Sequence, residues 1–309
     1  MHKVVNGQGL QGKLNMKTIE DYNLEIQQNP DNDDLYRLRG IEYLEHENNT
    51  DRAFIDFNKA IELNPNNAIV YNNRGIAFKI ICDYDNAIKD FNKSIQLDPN
   101  LAHVYINRGL AYTKKDERNN ALADFNKAIQ LAPNDEDGFI CRADIYSYFA
   151  SICLSDEKLN EENLIRGNEL LDSAFSDLNQ AIQIEPNNPN IYINIGRTYI
   201  IKKDYDKAID YFNKAIKIDP MNAYTYNERG DIHRRKKNFE HALADCNQSL
   251  QLDPNCVPTY FTRGLLYSDL GDYAKTIEDF EIVLRLNPYS GIEGLIEKAK
   301  KWLKEDKTL

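Results

Sequence analysis

The residue types that most often carry chemistry show no arrangement that predicts a catalytic or metal site. The five histidines never fall at metal-ligand spacing with cysteine or carboxylate residues, and there is no glycine-rich phosphate loop. The five cysteines are odd in number and lack the paired short spacings of disulfide frameworks and zinc sites. We therefore expect no catalytic residues, no metal, no cofactor and no enzymatic activity, and a reducing, cytoplasmic location. The residues rejected in this way are His2, His46, His103, His233, His241, Cys82, Cys141, Cys153, Cys246 and Cys256.

The charge of the chain argues against nucleic acid as a partner. Its 309 residues include 38 Lys and Arg against 49 Asp and Glu, a formal net charge of −11, which opposes the neutralisation of phosphates. The one basic run, residues 234–237, falls at a predicted helix end, where cations complement the helix dipole. Apolar runs are too short to span a bilayer and residues 1–15 lack the apolar core of a secretory signal, so no membrane partner is expected.

Prolines mark an internal repeat along most of the chain. Five of the seven intervals between them are 34 residues long, one is a single residue longer, and one is longer by 19 residues. Such a period is typical of repeat architectures, in which each unit buries its apolar face against its neighbours. The prolines are Pro30, Pro65, Pro99, Pro133, Pro186, Pro220, Pro254 and Pro288.

Each unit has the pattern of two helices. In residues 68–99, Tyr71, Gly75 and Phe78 recur at helical spacing, and a second helical face follows the turn at 82–84. Pro99 ends this second helix, because proline lacks the amide hydrogen and restricts the residue before it. A glycine inside a helix destabilises it by about 1 kcal/mol, so its recurrence at the Gly75 position indicates close helix packing.

The pattern resembles the tetratricopeptide repeat (TPR) family, whose units of 34 residues carry these residue types at the same offsets. The third unit shows the resemblance through Tyr105, Gly109, Tyr112, Ala121, Phe125, Ala128 and Pro133. The fifth unit shows it through Tyr192, Gly196, Tyr199, Ala208, Phe212, Ala215 and Pro220. The resemblance covers about residues 33–288.

The resemblance implies an all-α fold, a right-handed α-solenoid of seven TPR helix pairs with N- and C-terminal capping helices. We expect the 19 extra residues of the fourth repeat, near 150–168, to extend both of its helices; an acidic loop is the alternative. The predicted segments are a disordered tail at 1–15 and a single superhelix at 16–305, made of a capping helix at 17–28, repeats at 33–66, 67–100, 101–134, 135–187, 188–221, 222–255 and 256–289, and a second capping helix at 290–305.

An Arg and an Asp recur together in six of the seven repeats. The Arg precedes the glycine of the first helix and the Asp precedes the aromatic position of the second; in repeat five Ile195 and Tyr211 replace both. This joint loss predicts an ion pair between the two helices of a repeat, because a desolvated arginine needs an acceptor. Two independently solvated positions are the alternative. The predicted pairs are Arg39–Asp56, Arg74–Asp90, Arg108–Asp124, Arg142–Asp177, Arg229–Asp245 and Arg263–Asp279.

In the TPR family the first helix of each repeat lines a concave groove, which implies a binding face here. Asparagine amides offer a donor and an acceptor together, which suits an extended peptide backbone; asparagine that merely fills exposed positions is the alternative. The family's clamp for a C-terminal carboxylate is not expected, because only Asn73 matches it outright and Arg37 in part. The predicted groove residues are Asn72, Asn73, Ile76, His103, Ile106, Asn107, Leu110, Ile140, Asp144 and Asn194.

These features together predict a non-enzymatic protein–protein interaction scaffold that binds a peptide or extended protein segment, chiefly through repeats two to four. The alternative is a self-assembling structural protein, a homo-oligomer held by the repeat-four insertion and the terminal helices.

Overall fold

Helix boundaries follow capping residues that the sequence supplies at regular intervals. In the computed structural model, which describes residues 17–155 and 160–306, the side chain of Asn67 accepts from the amide of Ile69, and Asp83 accepts from that of Asn86. Asn188 and Asn222 cap first helices of later repeats in the same way. Such caps satisfy amides that the first turn leaves unpaired. Capping thus gives a structural role to some of the asparagines in the sequence.

The described residues form sixteen helices and no strand, divided into two compact units. Unit 1 ends at Ile145 and unit 2 begins at Tyr146, within the eighth helix. The helices up to and including the shared one are α1 Ile19–Gln28, α2 Asp33–Glu45, α3 Thr50–Leu63, α4 Ala68–Ile80, α5 Tyr84–Leu97, α6 Ala102–Lys114, α7 Arg118–Leu131 and α8 Glu136–Ser155. The remaining helices are α9 Glu161–Ile184, α10 Pro189–Ile201, α11 Tyr205–Ile218, α12 Ala223–Arg235, α13 Phe239–Leu252, α14 Val257–Asp269, α15 Tyr273–Leu286 and α16 Glu293–Asp306.

The predicted fold class is confirmed, and the predicted segments differ from the observed helices by a few residues. The N-terminal capping helix begins at Ile19 and not at residue 17, and the C-terminal one begins at Glu293 and not at residue 290. The predicted tail at 1–15 lies outside the described residues. Because contacts divide the chain into two units, the single superhelix over 16–305 stays a prediction.

Helix pairs close around a glycine and a phenylalanine. In repeat three a Cβ atom on Gly109 would lie 2.5 Å from Cε1 of Phe125, and in repeat two one on Gly75 would lie 2.6 Å from Cε1 of Phe91. Both rings are buried, and the small residues Ala87 and Ala121 on the same second helices are buried as well. Recurrent glycine therefore serves close packing between the helices of a repeat.

The prolines also anchor the following repeat. The phenolic hydroxyl of Tyr105 donates to the carbonyl oxygen of Pro99 at 3.1 Å, and that of Tyr192 donates to Pro186 at 2.8 Å. The same bond joins Tyr36 to Pro30 and Tyr260 to Pro254. Each bond ties the segment that follows one helix to the first helix of the next repeat; for Tyr36 the preceding helix is the capping helix α1.

Candidate functional site

The predicted groove residues of unit 1 lie on α4, α6 and α8, the first helices of repeats two, three and four. We call the side chains of these three helices at and beside the predicted groove positions the A face. Asn72 and Asn73 on α4 are only 4% and 3% exposed, whereas Asn107 on α6 is half-buried. His103 and Leu110, also on α6, are half-buried as well. The A face therefore has buried amides beneath more accessible polar and apolar side chains.

The asparagines of the A face are joined in a chain of side-chain hydrogen bonds. Nδ2 of Asn107 donates to Oδ1 of Asn72 at 3.1 Å, and Nδ2 of Asn72 donates to Oδ1 of Asn73 at 3.5 Å. Nδ2 of Asn73 is buried and has no acceptor among the described residues. Buried polar groups are nearly always hydrogen-bonded, so a donor left over at the end of such a chain is unusual.

A lysine that is not among the predicted groove residues donates the first hydrogen bond of this series of side chains. The ammonium group of Lys79, in the last turn of α4, donates to Oδ1 of Asn107 at 3.0 Å. Burial lowers the pKa of Lys79. The residue lies outside the groove offsets taken from the family, and its long side chain reaches α6 from the end of α4.

Repeat four contributes two further polar residues that the sequence analysis missed. Asp137 and Cys141 follow His103 and Asn107 by one period of 34 residues, so the repeat register itself could have identified them. Burial, with smaller contributions from Asp135 and Glu136, raises the pKa of Asp137 to about 6. Burial also raises the pKa of the Cys141 thiol and lowers that of His103.

The predicted aliphatic groove residues on α4, α6 and α8 are mostly buried. Ile76 packs in the apolar cluster that contains Phe91 and Val104, and Ile106 packs with Tyr105. Ile140 is also buried, whereas Asp144 is exposed. The three isoleucines are therefore core residues and Leu110 is the more accessible apolar side chain, while the contact of any of them with a partner stays a prediction.

Unit 2 has an ionic arrangement at the corresponding positions. Nη2 of Arg197 on α10 lies 3.3 Å from Oε1 of Glu228 on α12, and its guanidinium lies 5.0 Å from the ring centroid of Tyr224. Asn194 is half-buried and donates to no asparagine among the described residues. The amide chain is thus a feature of unit 1, and Asn194 does not extend it.

Five of the six predicted Arg–Asp pairs lie within one unit, and in each the structure brings the two side chains together. Nε and Nη2 of the arginine donate to the two carboxylate oxygens, as in Arg108–Asp124 at 2.8 and 2.6 Å. The same bidentate contact joins Arg39–Asp56, Arg74–Asp90, Arg229–Asp245 and Arg263–Asp279. Arg142 and Asp177 belong to different units, and their pairing stays a prediction.

Each arginine also binds an asparagine of the preceding segment. Nη1 of Arg108 donates to Oδ1 of Asn92 at 2.6 Å, so one guanidinium connects two successive repeats. The other Asn acceptors are Asn23, Asn58, Asn126, Asn213 and Asn247. We call the Asn–Arg–Asp set a fork.

Repeat five replaces the fork with aromatic stacking. The ring of Tyr211 stacks with Tyr192 at 6.5 Å and with Tyr199 at 5.5 Å between centroids. In repeat three the two equivalent tyrosines, Tyr105 and Tyr112, flank the guanidinium of Arg108 instead, at 5.6 and 5.9 Å.

Comparison with known proteins identifies the repeats. Models described as tetratricopeptide repeat match residues 38–67, 68–101, 102–135, 189–222 and 230–300. The chain belongs to the tetratricopeptide repeat family. None of the curated proteins matches the sequence.

Solved TPR structures share the fold at low sequence identity. A chain from the crystal structure of the APC/C hetero-tetramer Cut9-Hcn1 is 19% identical with a TM-score of 0.67; the match covers 91% of this chain and 52% of that one, so this chain spans about half its length. A tetratricopeptide repeat protein from Parabacteroides merdae is 16% identical with a TM-score of 0.65, over 92% and 98% of the two chains. TTC0263, a thermophilic TPR protein in Thermus thermophilus, is 18% identical with a TM-score of 0.56, over 66% and 98%.

The TPR assignment supports a protein–protein interaction scaffold. In the described part of the chain, no group of three or more His, Cys, Asp and Glu side chains is placed to hold a metal ion. No described helix has both the length and the apolar character that crossing a membrane requires.

The fourth TPR repeat carries the longest helices. Its helices α8 and α9 have 20 and 24 residues, whereas the other repeats use helices of 13 or 14. The side chain of Leu154 would contact a Cβ atom on Gly167 at 2.7 Å, so the two extensions pack closely. The predicted helical extension is confirmed for the described residues, and 156–159 lie outside them.

Proposed function

We propose that the protein is a non-enzymatic scaffold that binds an extended peptide segment on the A face of unit 1. The observation that carries this proposal is the amide chain from Lys79 through Asn107 and Asn72, which ends in the buried, unpartnered Nδ2 of Asn73. A peptide backbone presents carbonyl acceptors and amide donors in alternation, the groups that such amides bind. Leu110 and His103 supply accessible contacts beside the amides.

Replacement of the amides tests this proposal. Proteins captured from a lysate of the source cells by the wild-type chain are compared with those captured by the Asn73→Ala/Asn107→Ala variant. Asn119→Ala is the matched control, because Asn119 is an exposed asparagine on the neighbouring helix α7. We expect the double variant to lose partners that the control retains. A partner set unchanged in the double variant contradicts binding through the A face.

Self-assembly is the second candidate function, and exposed apolar side chains on the repeat-four extension favour it. Ile152 on α8 is 52% exposed, and Leu164 and Ile165 on α9 are 45% and 53% exposed. Clusters of exposed apolar residues often mark interaction sites. At the end of the chain, Tyr289 and Leu295 are exposed as well.

A further inference from the structure

Two charged side chains of the A face lack a counter-charge. Lys79 is half-buried, and its ammonium bonds only the neutral amide oxygen of Asn107; no described carboxylate lies within ion-pair distance of it. A partly desolvated charge is unfavourable unless an opposite charge or several hydrogen bonds compensate it. The described residues therefore supply Lys79 with a neutral acceptor but with no anionic one, and an anion of a bound partner could pair with it.

Asp137 is a negative charge without a cationic partner among the described residues. It is half-buried in the first turn of α8, and no described cation is paired with its carboxylate. Its neighbours Asp135 and Glu136 repel its negative charge and add to the effect of burial. A cation placed against Asp137 would relieve both effects.

The two charges belong to one patch, which consists of Lys79, Asn107, Asp137 and Cys141. Lys79 bonds Asn107 on α6, and Cys141 packs against the apolar cluster that contains Ile106 of the same helix. Asp137 precedes Cys141 by four residues on α8, so the two side chains lie on one face of that helix. Asn107 connects Lys79 to the amide chain. The patch therefore presents a positive end from repeat two and a negative end from repeat four.

We propose that the bound segment is a mixed-charge one, with a carboxylate that pairs with Lys79 and, on the same side of its extended backbone, a cationic side chain that pairs with Asp137. This inference rests on the proposed function and adds the chemistry and direction of the partner. Side chains on one side of an extended chain are two residues and about 6.6 Å apart. A purely acidic segment is repelled by Asp137 and Asp135, and a purely basic one by Lys79.

Synthetic peptides test the charge order directly. Four fluorescent eleven-residue peptides of Ser, Thr and Asn carry, at two central positions separated by one residue, Glu then Lys, Lys then Glu, two Glu, or two Lys. Binding to the full chain is followed by fluorescence anisotropy. We expect one mixed order to bind about tenfold tighter than the other three peptides, the preference that about 1.4 kcal/mol of charge pairing provides.

Exchange of the two protein charges supplies the decisive control. In the Lys79→Glu/Asp137→Lys variant the preferred order is expected to reverse, a result that general loss of structure cannot produce. In the Lys79→Met/Asp137→Asn variant the order preference is expected to disappear. Circular dichroism checks that each variant keeps the helix content of the wild type.

Two results overturn the inference. One is equal affinity of the wild type for the two mixed orders, and the other is no binding of any of the four peptides. Either result leaves the proposed function standing if capture of lysate partners still depends on Asn73 and Asn107. Loss of that dependence, with or without charge order in the peptides, counts against the proposed function itself.

Discussion

At the scale of the residue, the space opposite each repeated glycine decides what the position tolerates. A Cβ atom on Gly109 would meet three carbons of the Phe125 ring within 3.0 Å. At Gly230 the nearest atoms are Cβ of Asp245 at 3.2 Å and the carbonyl oxygen of Ala242 at 3.4 Å, and Sγ of Cys246 lies 3.6 Å away. Repeat six has cysteine where repeat three has phenylalanine, so the same substitution has different consequences.

We expect Gly109→Ala to lower the free energy of unfolding and Gly230→Ala to leave it nearly unchanged. Overpacking against Phe125 costs about 1–3 kcal/mol, which exceeds the gain in helix propensity of about 1 kcal/mol. At Gly230 the smaller strain and that gain largely cancel. Urea unfolding followed by circular dichroism compares the two variants with the wild type. Equal midpoints for the two variants would show that the phenylalanine does not determine the requirement for glycine.

The pairing of Arg with Asp could be predicted from residue identities because both change together in repeat five. The third member of the fork could not be found in this way. Asn179 remains in repeat four although the arginine that would follow it is Ile195, so asparagine and arginine do not vary together. The contact of Lys79 with Asn107 could not be predicted for a different reason. It depends on how far a flexible side chain extends from the end of a helix, which the repeat period does not describe.

At the scale of the element, the fork and the tyrosine stack are two solutions to the same packing position. The fork holds Asp124, 4% exposed, by two charge-assisted bonds and extends to the preceding second helix through Asn92. The stack in repeat five places the ring of Tyr211 near two tyrosines whose equivalents flank Arg108. The two sets of residues are therefore interchangeable in principle, provided that both members change.

We expect Arg108→Ile alone to destabilise the protein by about 3–5 kcal/mol, because it leaves the buried carboxylate of Asp124 unpaired. The double variant Arg108→Ile/Asp124→Tyr reproduces repeat five and is expected to recover most of that loss. A double-mutant cycle in urea, with Asp124→Tyr as the other single variant, measures the coupling. Additive losses in the double variant would mean that stacking cannot replace the ion pair in repeat three.

Helix content and repeat boundaries were predictable at this scale because glycine, proline and aromatic residues recur with one period. The sequence alone left the state of the repeat-four insertion open between helix and loop. Apolar residues such as Ala150 and Leu171, buried in α8 and α9, decide it. The inserted residues have no equivalent in the other repeats, so the 34-residue period could not indicate their structure.

At the scale of the whole molecule, the exposed apolar residues of the repeat-four extension raise the question of assembly. The extension also carries Glu161, Glu162, Glu169 and Asp172 against Arg166, an acidic excess that opposes association of identical copies. Association through the extension should therefore be favoured by salt, because salt screens this repulsion and leaves the apolar contact.

We expect any oligomer to grow with protein concentration and with salt, and to be lost in the Leu164→Glu/Ile165→Glu variant, since two charges would be buried unpaired at its apolar contact. Ile55→Glu is the control, because Ile55 is an apolar residue that is 67% exposed on α3, a helix of repeat one. Light scattering coupled to size exclusion measures the mass of each variant. An oligomer that persists in the double variant, or dissociates equally in the control, would place the contact elsewhere, and a monomer at every concentration and salt would leave peptide binding as the function that the structure favours.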